Sequence, residues 1–181
     1  MKTLTLAALL AGTACAALAQ DAEPSERTLV TGEMLQEIVA EAPYECANYD
    51  MDSDSCEAVT QLTFDGDMVA GTARSLFADD VEGTVMGTGT LEGDRICMAP
   101  DDITMQLQSP DSTMNEMVQN QFMAAIEALG TLCTTYYALE DGGYVSVTTQ
   151  ADGTPIPDGE EGVQFFGQEK SLRAVPEEIE T

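Results

Sequence analysis

Histidine and tryptophan are absent from this chain, and lysine and arginine together number six against 33 aspartates and glutamates. Without histidine there is no Ser-His or Cys-His nucleophile pair, and the usual zinc sites lose their nitrogen ligand. The scarcity of cations excludes the basic stripe that a nucleic acid requires. Apart from Lys2 the only lysine is Lys170, near the C-terminus, which argues against a Ser-Lys dyad. No G-x-S-x-G, P-loop or G-x-G-x-x-G pattern occurs. Any chemistry here must come from carboxylates, tyrosines or a bound ion, and no cofactor is expected.

One apolar run is present, at the start. Lys2 precedes Leu4-Thr5-Leu6-Ala7-Ala8-Leu9-Leu10-Ala11, and Ala17-Leu18-Ala19 follows as a small-x-small cleavage site. This is the pattern of a secretory signal peptide over 1–19. It falls short of the roughly 20 residues of a membrane-spanning helix, so no membrane insertion is expected. Cys15, after Gly12-Thr13-Ala14, offers a lipoprotein alternative, although a lipobox wants a large aliphatic residue where Gly12 stands. Loss of Lys2 with the signal takes the net charge from −27 to −28. Such a surface keeps an exported protein soluble. It also attracts cationic proteins and divalent ions, and repels anionic membranes.

Export changes the meaning of the cysteines. Four remain in the mature chain, Cys46, Cys56, Cys97 and Cys133, and an even count in an oxidising compartment points to two disulfides. Three pairings are possible. Cys46–Cys56 with Cys97–Cys133 is the preferred one, because the first closes a short polar loop and the second ties a strand to the segment after a helix. The location expected is periplasmic or secreted.

Residues 20–28 are polar and aperiodic, and read as a flexible leader. Thr31 caps a short helix to about Glu41, with Leu35, Ile38 and Val39 on one face and Pro43 as the stop. The stretch 44–57 reads as an acidic loop. Leu62 and Phe64 then alternate with polar residues, Asp65-Gly66 signals a hairpin, and residues 68–77 return. In 81–90 the glycines Gly83, Gly87 and Gly89 share one face, which suggests a bent or closely approached strand. Glu92-Gly93-Asp94 turns into residues 95–98. Ser109-Pro110 and Thr113 to Glu116 open a helix whose stripe is Met114, Met117, Val118, Phe122, Ala125, Ile126 and Leu129, ended by Gly130. Strands follow at 131–139, 144–147 and 162–166, with turns at Asp141-Gly142-Gly143, Asp152-Gly153 and Asp158-Gly159. The acidic tail 168–181 reads as loose. The expectation is one disulfide-stapled α+β domain over 29–167. An antiparallel meander or partly closed barrel of about six or seven strands would pack on one principal helix.

Three constellations merit attention. Asp50, Asp52 and Asp54 alternate as in calcium loops, but Ser55 and Gln61 stand where such a loop needs glycine and a closing carboxylate. That pattern fits a solvated turn better than a metal site. Met105, Met114 and Met117 have the softness for copper, yet the last two sit on the helix stripe, where methionine fills cores. Tyr44, Tyr49, Tyr136, Tyr137 and Tyr144 are large amphipathic side chains of the kind that grip a small ligand in a barrel mouth.

The order of parts resembles small exported periplasmic proteins of alphaproteobacterial type. It is carried by "LVTGEML", "LTFDGDMVAGT" and "GTGTLEGDRICM", answered later by "LCTTYY". Such proteins commonly place a Trp before the first strand-borne Cys, and this chain has none. The resemblance supplies no catalytic residue. The expected function is that of a non-catalytic periplasmic domain that binds a small ligand or a protein. The alternatives are a carboxylate-dependent hydrolase, which needs two facing acids about 5 or 6.5–9.5 Å apart, and an acidic inhibitor of a basic secreted hydrolase.

Overall fold

The computed structural model describes residues 26–78, 81–109 and 112–174. The expected signal peptide, Cys15, most of the leader, Pro110 and the end of the tail lie outside them. The chain is mostly β, with strands β1 (Arg27–Leu29), β2 (Tyr44–Ala47), β3 (Ser55–Cys56), β4 (Ala58–Asp65), β5 (Met68–Ala78) and β6 (Val81–Glu92) in its first half. In the second half come β7 (Arg95–Met98), β8 (Ile103–Gln108), β9 (Leu132–Leu139), β10 (Tyr144–Gln150), β11 (Pro155–Phe166) and β12 (Ser171–Leu172). The helices are α1 (Gly32–Glu41) and α2 (Ser112–Leu129). Neither is long and apolar enough to cross a membrane, nor is any other helix among the described residues.

Eight strands close an antiparallel barrel in the order β9-β10-β11-β2-β4-β5-β6-β7, and β7 returns to β9. Of the expected meander or partly closed barrel of about six or seven strands, the barrel is present, but it is closed and has eight strands, and among the described residues there are two α-helices in place of one principal helix. Two strands extend the wall: β1 beside the C-terminal half of β9, and β8 beside the N-terminal half of β6. The hairpin signals operate as their chemistry requires. Gly66 and Gly93 take positive φ of 62° and 67° at the β4–β5 and β6–β7 turns, a region open to glycine at little cost.

Helix α1 seals one end. Thr31 caps it, its side chain accepting from the Met34 amide. The Gly32 amide donates to Asp94 Oδ1 at 3.0 Å, and Gln36 Nε2 donates to the Gly66 carbonyl at 3.0 Å, so the helix is tied to two barrel turns. Its apolar face drops Leu35 and Val39 onto Val30, Leu62, Val69, Ile96, Tyr136 and Val163, which form the main core.

Both disulfides are present, Cys46–Cys56 and Cys97–Cys133. The second joins directly paired residues of β7 and β9 at the barrel seam. The first lies on the outer wall with Val59, packed by Tyr44, Tyr49, Phe166 and Leu172. Disulfides of this kind are compatible with an oxidising compartment.

Several expectations are overturned. Arg27 and Thr28 are not leader but strand, paired with Leu139 and Ala138. The 44–57 loop contains β2, a barrel strand, and β3. Asp158-Gly159 is no turn: both residues lie inside β11, where Asp158 takes φ 53° near a register shift against β10. The start of the tail is docked. Residues 171–172 pair parallel with 55–56, Lys170 reaches Asp54 at 2.7 Å and sits 4.7 Å from the Phe166 ring, and Arg173 reaches Glu57 at 3.0 Å. The stripe of α2 is not core either. Met117 is 55% exposed, and Val118, Phe122, Ile126 and Leu129 are half-buried.

Candidate binding cup in the barrel

The inward side of a strand is every second residue, and paired residues on neighbouring strands face the same way. Two inward rows run across β4, β5, β6 and β8. One is Thr60–Ala73–Val85–Met105, the other Leu62–Gly71–Gly87–Ile103. Seven of these eight residues, all but Met105, line an apolar cavity of about 110 Å³ together with Met98. Glycine makes the room. A Cβ on Gly71 would meet nothing closer than Leu62 at 3.4 Å, and one on Gly87 would press on the Met98 sulfur at 3.0 Å.

The opposite wall is polar. Tyr136, Ser146 and Glu161 occupy one inward row across β9, β10 and β11. In the next inward row Thr134 and Thr148 exchange a hydroxyl hydrogen bond at 2.9 Å. Thr60, Ala73, Val85, Thr134 and Thr148 are only half-buried, and Glu161 is exposed. The barrel end away from α1 is therefore an open cup, apolar on one side and polar on the other. Helix α2 flanks it. Thr104, Gln106 and Gln108 are exposed on one face of β8 while Ile103, Met105 and Leu107 are buried on the other, which places α2 on the inward side.

Glu45 joins the two walls. It continues the Thr60 row onto β2, with Thr60 and Phe165 as its register partners. Its carboxylate crosses the barrel and accepts a hydrogen bond from the Tyr136 hydroxyl at 2.7 Å. Only 9% of Glu45 is exposed. Burial pushes its pKa up to about 7; the Tyr136 hydrogen bond pulls it down and the Glu161 charge pushes it further up. Glu161 is itself raised, first by surrounding protein and then by Glu57. Burial and the Glu45 charge hold the Tyr136 phenol well above its ordinary range. No cation enters this group. The five described cations are paired elsewhere: Arg27 with Glu160, Arg74 with Glu82 and Glu169, Arg95 with Glu92, Lys170 with Asp54, and Arg173 with Glu57.

Of the five candidate tyrosines, Tyr136 faces the interior with its hydroxyl on Glu45, and Tyr144 packs edge-on against Phe165 at 5.3 Å. Tyr44 and Tyr49 sit outside, on the Cys46–Cys56 cluster. Tyr137 pairs with Leu29 at the β1 edge. The acidic turn is engaged locally. Asp50 accepts from the Asp52 amide and the Ser53 hydroxyl, and Asp54 accepts from Tyr49 and Lys170. Among the described residues no group of three or more acidic or cysteine side chains is placed to hold a metal. Met105 is buried in β8, Met117 is exposed on α2, and the Met114 side chain lies outside the described set.

Glu45 and Glu161 escaped the sequence reading. Glu45 stands in Tyr44-Glu45-Cys46-Ala47, and the alternation of Glu45 and Ala47 against Tyr44 and Cys46 is too short to announce a strand. No family model matches the chain, and comparison with curated proteins and with solved structures finds no similar one.

Proposed function

We propose that this chain is an exported, non-catalytic barrel domain that binds a small amphiphilic molecule in its open cup. The observation that carries the reading is the two-sided interior. An apolar void on the β4–β6 wall faces a polar row on β9–β11, in the half of the barrel that is not filled. Ligand sites are commonly concave, mostly apolar and supplied with a few placed polar groups. A void near 110 Å³ suits a short alkyl or small aryl group, since an apolar cavity of about 150 Å³ takes benzene. The rest of such a ligand would lie along the polar row. The signal-like N-terminus, the paired cysteines and the resemblance to small periplasmic proteins all support an exported setting.

Hexanol titrated into isotopically labelled protein tests this. Saturable shifts are expected at Leu62, Val85, Met98 and Ile103, and Gly71→Val, which fills the void, should abolish them. Shifts confined to the surface, or unaffected by Gly71→Val, would overturn the reading.

One observation favours a second function. Glu161 acts on the buried Glu45, as the two carboxyls of a hydrolase would. Turnover of aryl glycosides or esters that is lost in both Glu45→Gln and Glu161→Gln would replace the binding reading with a carboxylate-dependent hydrolase.

A further inference from the structure

We infer that the molecule taken by the cup is a small organic cation, an alkyl or aryl ammonium, with its apolar end in the Leu62–Gly71–Gly87–Ile103 void and its charged end against Glu45 and Glu161. This rests on the cup reading and gives it a substrate class.

Glu45 is the direct cross-strand neighbour of Thr60, which lines the void. Directly paired side chains have Cβ atoms about 5 Å apart, so Glu45 is rooted beside a residue that lines the void. The groups facing Glu45 are Tyr136 from β9 and Glu161 from β11. One is a neutral donor and the other a like charge. Glu161 also feels the charge of Glu57, which is itself paired with Arg173 at 3.0 Å. A buried carboxyl with no cation beside it stays neutral or finds a positive partner. The described arginines and Lys170 are all committed to other acids, so none of them supplies that positive partner. An anionic head group would meet two carboxyls and a strongly negative protein. A neutral alcohol would gain one hydrogen bond and leave the charge uncompensated.

Binding is then coupled to a proton. An ammonium group stays charged through neutral pH, and Glu45, with its pKa near 7, must lose its proton to pair with it. At pH 6 about one tenth of the protein holds ionised Glu45, so affinity should be about tenfold weaker than at pH 8.

Three probes of equal length separate the possibilities: hexylammonium, hexanol and hexanoate, each titrated calorimetrically at pH 8 and pH 6 in 0.15 M salt. The expected order at pH 8 is hexylammonium tightest by at least tenfold, then hexanol, then hexanoate. Only hexylammonium should weaken about tenfold at pH 6. Glu45→Gln keeps the Tyr136 hydrogen bond and should bring hexylammonium down to the level of hexanol, with hexanol unchanged. Asp65→Asn with Asp67→Asn removes two charges from the β4–β5 turn and should leave the preference intact. Equal binding of hexylammonium and hexanol would overturn the cation assignment and leave the cup standing. A preference that survives Glu45→Gln, or that falls equally with the turn variant, would assign it to diffuse surface charge and overturn the site. Binding by none of the three would remove the cup reading itself.

Discussion

The two ends of the barrel are built from the same strands and have opposite interiors. At the α1 end, Val30, Leu35 and Val69 are each 1% exposed, and Leu62 and Val163 scarcely more. At the other end Thr60, Ala73, Val85, Thr134 and Thr148 are inward but only half-buried and Glu161 is exposed, while Ser146 and Met105 are buried among them. The changeover falls within single strands. On β4 the inward series runs Ala58, Thr60, Leu62, Phe64, from small and polar to large and apolar. On β11 it runs Glu161, Val163, Phe165. Burial of apolar surface is the main stabilising term, at roughly 25 cal/mol per Å². The sealed end thus holds the fold together, and the open end is left free to carry small and polar side chains.

The largest effect expected from this contrast is in truncation. Leu35→Ala removes a side chain that is enclosed by α1 and the barrel mouth, and should cost about 4 kcal/mol. Val85→Ala, in the half-exposed cup, should cost about 1 kcal/mol or less, because the site already adjoins a void and solvent. Urea unfolding of the two variants gives the comparison. Similar losses would mean that the cup is as tightly packed as the sealed end.

A second test uses the group that bridges the ends. Glu45 binds its proton up to about pH 7 when folded, against an ordinary value of 4.5. Between those values the native state holds more protons than the unfolded chain, so the Glu45 contribution to stability falls as pH rises. It is fully present below about pH 4.5 and is lost by the time pH passes 7, for a total of about 3 kcal/mol. Carboxylates such as Asp54 and Glu160, lowered by hydrogen bonds from Lys170 and Arg27, have the opposite slope at lower pH. The difference between wild type and Glu45→Gln isolates Glu45 from them. Glu45→Gln should match wild type near pH 5 and exceed it by up to about 3 kcal/mol at pH 8. Parallel stability profiles would show that Glu45 is solvated in solution.

The sealed end was much more legible in the sequence than the cup. Thr31, Leu35, Ile38 and Val39 wrote α1 plainly, and Leu62-Thr63-Phe64 before Asp65-Gly66 wrote the β4–β5 hairpin. These are local signals, and the structure satisfies them locally. Cysteine parity and loop size gave the disulfides. The open end depends on partners distant in the chain. Pro155, Pro157 and Gly159 punctuate β11 like a loop, yet the edge of β11 facing β10 is paired and a bulge absorbs Asp158. Glu45 looks like a surface acid because only barrel closure brings Tyr136 to it, across 91 residues. Tyr136 was visible as a candidate for ligand contact, but nothing in its neighbourhood names the acid it serves. The α2 stripe misled in the other direction: its period is helical and apolar, but the cup beside it is open.

The smallest effects, and the sharpest in sign, come from two glycines on neighbouring strands. Gly89 lies on β6 near the sealed end, where a Cβ would come within 2.5 Å of the Cys97 carbonyl and 2.7 Å of Met98 Cγ. The first of those atoms is backbone in the β7 strand, which the Cys97–Cys133 disulfide holds to β9. Relief requires the seam to move, so Gly89→Ala should destabilise by about 2 kcal/mol. Gly71 lies on β5 beside the void, where the nearest atom to a Cβ is Leu62 Cδ2 at 3.4 Å, an ordinary contact. It has no positive φ to defend. An alanine there reduces the freedom of the unfolded chain and covers part of the cavity wall, so Gly71→Ala should stabilise by about 0.5 kcal/mol. Opposite signs from one substitution type would follow directly from the packed seam and the vacant cup. Destabilisation by Gly71→Ala equal to that of Gly89→Ala would mean that the void closes in solution, and with it the distinction between the two ends.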